Sequence, residues 1–154
     1  MADADLIKLY SERILALAAN MPHAERLAAP CASSSKRSPL CGSTVTVDVA
    51  IADGRLSDFG MDVKACALGQ ASASILASAA IGRTRDEIAE GRDALKAMLK
   101  DGAPAPDGVF SGLEVLTPAR DYKNRHASIL LAWEATVEAM DKAAETATSA
   151  CGGV

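Results

Sequence analysis

Two cysteines, Cys41 and Cys66, carry the clearest chemical potential of this 154-residue chain. Cys41 sits in Pro39-Leu40-Cys41-Gly42-Ser43, a run of turn formers that feeds an alternating, β-branched stretch. That stretch runs from Thr44 to Ile51, Asp53-Gly54 is a hairpin turn signal, and Leu56 to Val63 forms the return strand. Cys66 lies just past the return strand and before a run of small residues. A hairpin brings its two outer ends together, so Cys41 and Cys66 are expected as neighbours at its open end. A thiol at a helix N-terminus is favoured as thiolate by the helix dipole and the free backbone N–H groups. Lys64 adds to that effect. The pair then reads as a nucleophilic or metal-binding thiolate site. The alternative is two buried cysteines serving as small apolar side chains.

Other residue patterns offer less. The cysteines stand at 31, 41, 66 and 151 with no C-x-x-C pair, which excludes a self-contained zinc knuckle or a thioredoxin-type motif. Gly102 to Gly112 is glycine-rich but lacks the strand–turn–helix setting and the Lys-Ser/Thr of a phosphate-binding loop. Ser33, Ser34 and Ser35 have no base near them in sequence. Lys36-Arg37 reads as a solvated loop tip, and Asp48, Asp53, Asp58 and Asp62 as the solvated face of the hairpin.

The elements that must position the cysteines follow from periodicity. Residues 5 to 19 have helical spacing of apolar residues. Residues 20 to 42, with prolines at 22, 30 and 39, read as loop with one weak edge strand. Gly69 to Ala80 reads as a buried helix of small residues ended by Gly82. Thr84-Arg85-Asp86-Glu87 has capping-box spacing and opens a helix that is interrupted at Gly91 and resumes through Lys100. A loop is expected over 101–112 and a last helix over 127–143, with Trp133 on its apolar face. The fold class is thus α+β: a small antiparallel sheet, made of the hairpin and the weak edge strand, packed against several helices. One domain over 1–146 and a flexible tail over 147–154 are expected.

Composition narrows the functions. Hydrophobic residues make up 49% and aromatics only 3%, so the core is built of small side chains that suit closely packed helices. The net charge is −4 with dispersed Lys and Arg, against a nucleic-acid-binding face. No apolar run is long enough to span a bilayer. The acidic start, Met1-Ala2-Asp3-Ala4-Asp5, is the wrong pattern for a signal peptide, so a cytoplasmic location is expected. In that setting the cysteines are expected as free thiols or metal ligands rather than disulfides.

Pro39-Leu40-Cys41-Gly42-Ser43, the hairpin, and Cys66 followed by Ala71-Ser72-Ala73-Ser74 together resemble the IscU/SufU/NifU N-terminal family of iron–sulfur cluster assembly scaffolds. In that family a P-x-C-G-D turn supplies a cysteine and an aspartate. A second cysteine precedes an A-S-x-S helix start, and a third opens the C-terminal helix in an R-x-x-C motif. Arg125-His126-Ala127-Ser128, followed by Leu131-Ala132-Trp133, occupies the last place. The segment between 92 and 122 resembles the insertion of the SufU branch. The likeness covers residues 8 to 142.

The resemblance implies three cysteines and an aspartate as ligands of zinc or a labile iron–sulfur cluster. Here Ser43 stands for the aspartate and Ser128 for the third cysteine. A hydroxyl, protonated at neutral pH, is a poor substitute for a thiolate, which weighs against tight tetrahedral binding within one subunit. His126, Cys31 and the tail residue Cys151 are the side chains available to make up the deficit. The implied function is a scaffold that holds iron and sulfur through Cys41 and Cys66, with a cysteine desulfurase as partner. With two thiolates per chain, a [2Fe–2S] unit and its four ligands would be shared in a homodimer. The implied role is that of a carrier rather than a catalyst, with Cys66 as persulfide acceptor. The rival readings are a zinc-dependent sulfur acceptor and a ligand-depleted module that regulates a true scaffold.

Overall fold

The structure is a computed structural model and describes residues 12–39 and 42–145. The first helix, expected over 5–19, is described from Glu12 to Ala19 (α1); its expected start lies outside the described residues. The weak edge strand is present as β1, Ala32–Arg37. The hairpin follows as β2, Thr44–Ala52, and β3, Arg55–Lys64. Asp53 and Gly54 both have positive φ, 54° and 75°, the backbone of a tight turn that matches strand twist. The sheet is antiparallel throughout in the order β1-β2-β3.

The helices cover one face of this sheet. Val45, Val47 and Val49 of β2 are buried, as are Phe59 and Met61 opposite them on β3. Helix α2 (Ala67–Ala80) is almost wholly buried. Its alanines and serines let it run close to α4 (Lys123–Glu145), and α4 in turn lies across β1 and β2. Helix α3 (Arg85–Asp101) opens with the expected capping box: Glu87 N donates to Thr84 Oγ1 at 3.1 Å, and Thr84 N to Glu87 Oε1 at 3.0 Å.

Four expectations are corrected. Helix α3 is continuous through Gly91. The glycine is there for close approach, since a Cβ would lie 2.6 Å from the Trp133 ring. The stretch expected as loop over 101–112 becomes 3₁₀-helical from Gly108, in a segment that runs to Asp121 and is kinked at Phe110. Helix α4 begins at Lys123 rather than 127. Finally, Asp48 is not on a solvated face. Its side chain is fully buried on the helix-free face of the sheet, where Arg26 Nε donates at 2.6 Å and Leu27 N at 3.0 Å. The Ser33 hydroxyl also donates to this carboxylate. The proline-rich 20–31 segment is thereby fastened over the sheet.

Burial pushes the Asp48 carboxyl up, but the hydrogen bonds from Arg26, Ser33 and Leu27 and the Arg26 charge together hold it below the usual carboxylate range. A carboxyl held low in the fold contributes stability above its unfolded value of about 3.9, and this contribution is lost as pH falls through the folded value. The denaturant midpoint should therefore drop between pH 5 and acid, and Asp48→Asn should flatten that drop while lowering the midpoint at pH 7. Equal acid dependence in both proteins would remove Asp48 from this role.

Candidate functional site

The open end of the hairpin gathers the expected chemistry. Thr44 pairs with Lys64 at the last rung of the β2–β3 ladder, which leaves Ser43 and Cys66 just beyond it on adjacent chains. Cys66 is the N-cap residue of α2, with extended φ/ψ of −66° and 170°. Its carbonyl accepts the first helical bond, from Gln70 N at 2.9 Å. Its side chain is half-buried and free. Lys64 is exposed at the end of β3.

Ser128 enters from α4. It is buried, and its hydroxyl lies 2.9 Å from that of Ser43 and 3.8 Å from Cys66 Sγ. The first turns of α2 and α4 touch here because residue 69 is glycine. A Cβ on Gly69 would stand 2.7 Å from Ser128 Oγ. The structure thus joins three of the positions that the resemblance assigns to ligands, Ser43, Cys66 and Ser128, into one cluster. The fourth, Cys41, lies outside the described residues. Its described neighbours close a tight turn at this same end, with Gly42 N donating to Ser38 O and Ser38 N to Ser43 O, both at 2.8 Å.

The auxiliary candidates go elsewhere. His126 is buried and its Nε2 is engaged by the carbonyl oxygens of Ala119 and Arg120, at 3.1 and 3.0 Å. It lines a surface cavity of about 400 Å³ with Leu99, Lys100, Arg120, Asp121 and Lys123, none of which belongs to the Cys66 cluster. Because α4 starts early, His126 and Ser128 lie two positions apart on one helix and face different directions. Cys31 is disulfide-bonded, which corrects the expectation of free thiols; its partner is outside the described residues. It sits at the far end of β1, donating its N–H to Val49 O, about 20 Å of strand from the Ser38 turn. Cys151 lies outside the described residues, as does the whole of the expected tail over 147–154.

Sequence reasoning passed over Ser38. It is 1% exposed, and among the described residues its hydroxyl has no hydrogen-bond partner. The signal that would have found it is its place: Ser38 and Ser43 flank the same turn and are joined by the Ser38 N to Ser43 O bond just beyond the last β1–β2 pair.

Whether a resident zinc ion fits can be judged from these donors. Zinc takes four ligands, and structural sites draw them from cysteine and histidine. Among the described residues no group of three His, Cys, Asp or Glu is placed to hold a metal ion. The Ser128 hydroxyl that touches Cys66 Sγ is bonded to that of Ser43. The described residues of one chain therefore do not fit zinc.

No family model matches the chain. The fold does match solved structures. An N-terminal NifU-like nitrogen-fixation protein from Brucella abortus superimposes with a TM-score of 0.89 at 46% identity, covering 93% of this chain and 99% of that one. This chain belongs to the IscU/SufU/NifU N-terminal-like family. Two more distant members agree. A Thermotoga maritima protein named as the iron–sulfur cluster assembly scaffold protein IscU is 25% identical over 134 residues, 87% of this chain and 94% of its own length. A Fervidobacterium islandicum protein named as a scaffold protein for the SUF system shares the fold, with a TM-score of 0.79 at 21% identity over 87% of this chain and 98% of that one. Within the family fold, the α+β architecture expected from the hairpin and edge strand is the one observed. No helix among the described residues is long and apolar enough to cross a membrane.

Proposed function

We propose that this chain is an iron–sulfur cluster assembly scaffold in which sulfur and iron are carried by the thiolates of Cys66 and Cys41. The observation that carries the reading is the placing of Cys66. It is a free thiol at the N-terminal edge of a buried helix, in contact with a residue of α4, on a chain 46% identical to a NifU-like protein. The cluster is cargo here, assembled and passed on. With Ser43 and Ser128 in place of charged ligands, each chain supplies two thiolates, and a [2Fe–2S] unit needs four ligands. Two copies of the chain would complete it. A cysteine desulfurase in the cytoplasm would be the source of sulfur.

Anaerobic reconstitution with ferrous iron and sulfide tests this. The native protein should take up iron and sulfide in equal amounts at about one iron per chain and migrate as a dimer. Cys66→Ala should abolish uptake without changing the far-UV spectrum. Uptake that survives in Cys66→Ala would place the cluster elsewhere. No uptake by the native chain would favour the module that regulates a true scaffold.

A further inference from the structure

Cys31 is disulfide-bonded within a single chain, and geometry identifies its partner. The chain has three other cysteines, at 41, 66 and 151. Cys66 is a free thiol. Cys41 is tethered at the wrong end of the sheet. Ser38 N donates to Ser43 O and Gly42 N to Ser38 O, so the turn on either side of Cys41 closes at the Arg37 end of β1. Cys31 stands at the other end with its N–H on Val49 O, about 20 Å of strand away. Two residues past Pro39, Cys41 can come back by roughly 7 Å at full stretch. The gap that remains is about twice the Cα separation that a disulfide spans. Exclusion leaves Cys151 as the partner.

The course of α4 leads to the same place. Glu138 meets Ser34 and Lys36 of β1, and one turn further on Lys142 Nζ donates to Ser33 O at 3.3 Å. Helix α4 therefore runs towards the N-terminal end of β1, where Cys31 stands, and it ends at Glu145. The six residues from there to Cys151 can span about 20 Å. Cys31 Sγ is packed against the core and accepts from Ile51 N at 3.2 Å, which fixes the sulfur at this end of the sheet. We propose that Cys31 and Cys151 form a redox-reversible clasp, which fastens the C-terminal segment to the end of the sheet remote from Cys66. Cys66 and, by exclusion, Cys41 remain as the chain's two thiols. In a reducing compartment such a bond opens and closes by exchange with small thiols. On closing, one cysteine thiolate attacks glutathione disulfide, an S–S bond to one glutathione forms, and the other leaves as thiolate. The second cysteine thiolate then attacks the protein sulfur of that mixed disulfide and expels the second glutathione thiolate. Two protein thiols are oxidised and one glutathione disulfide is reduced.

Equilibrating the full chain with glutathione buffers of rising disulfide content tests the clasp. After quenching by alkylation and digestion without reductant, the oxidised chain should yield a peptide that links Cys31 to Cys151. Neither Cys41 nor Cys66 should appear in a link between protein peptides, and added dithiothreitol should return Cys31 and Cys151 as thiols. Cys151→Ser should leave Cys31 open to alkylation. The bond closes most of the chain into one loop, so reducing it should lower the melting temperature of the native protein by roughly 10 °C. The same reduction should leave Cys151→Ser where it was. Cys31 recovered as a thiol at every buffer ratio, or linked to Cys41, to glutathione or to a second chain, overturns the pairing. An equal fall in melting temperature in the native and Cys151→Ser proteins overturns the fastening of the C-terminal segment. Neither readout involves iron or sulfide, so its failure is distinct from a failure of the scaffold function.

Discussion

The double variant Ser43→Asp, Ser128→Cys is expected to convert a site that does not hold zinc into one that does. Both positions already converge on Cys66, with hydroxyls 2.9 Å apart and Ser128 at 3.8 Å from the sulfur. A carboxylate and a thiolate at these positions, with Cys66 and Cys41, complete the four-ligand set that the family resemblance implies. Gly69 leaves room for the larger sulfur, since nothing but hydrogen stands on its Cα beside residue 128. Zinc bound by a full set of protein ligands is worth on the order of 10 kcal/mol in small structural sites. Even a modest share of this would tighten binding by orders of magnitude. Competition with a chromophoric chelator should give one zinc per chain in the double variant and substoichiometric zinc in the native protein. An unchanged stoichiometry would mean that the convergence at this end of the hairpin is too loose to coordinate a metal.

The largest loss of stability is expected from Trp133→Ala. Trp133 is fully buried in α4. Its indole N–H donates to Ser72 Oγ at 3.0 Å, and Ser72 donates to the carbonyl of Ile129 at 2.6 Å. Its ring meets Phe110 edge-to-face with centroids 4.8 Å apart. On another side it lies against the bare Cα of Gly91. Truncation removes the largest side chain of the core and leaves a cavity bordered by three elements that cannot all close in. Such replacements cost about 3–5 kcal/mol. For a chain of this length the melting temperature should fall by on the order of 10 °C. A fall of only a degree or two would show that α3 and the 3₁₀ segment collapse readily onto α4. Because the hydrogen bond from Trp133 to Ser72 ties α4 to α2, the variant should also loosen the contact between Ser128 and Cys66, read as faster alkylation of Cys66.

The elements that depend on local pattern were legible in the chain itself. The Thr44–Ile51 alternation and the Asp53-Gly54 turn specify the hairpin, because strand period and positive-φ turn chemistry are short-range effects. Thr84 and Glu87 mark the start of a helix because the two side chains satisfy each other's backbone donors within one turn. These local signals, with the order of the cysteine-centred motifs, were enough to place Cys66 at the mouth of the hairpin and to suggest the family.

What lay beyond them was decided by contacts between segments distant in sequence. Gly91 looks like a helix breaker, yet the packing of Trp133, far along the chain, outweighs its backbone cost of about 1 kcal/mol. Asp48 looks like one of four solvated carboxylates, but an earlier segment of the chain supplies Arg26 and Leu27 to it. Ser43 and Ser128 are 85 residues apart and meet only because α4 lies across β2, which no local propensity encodes. Ser38 is the sharpest instance. One more serine in a serine-rich stretch is buried at the turn before β2, with its N–H held by Ser43 O across the chain reversal.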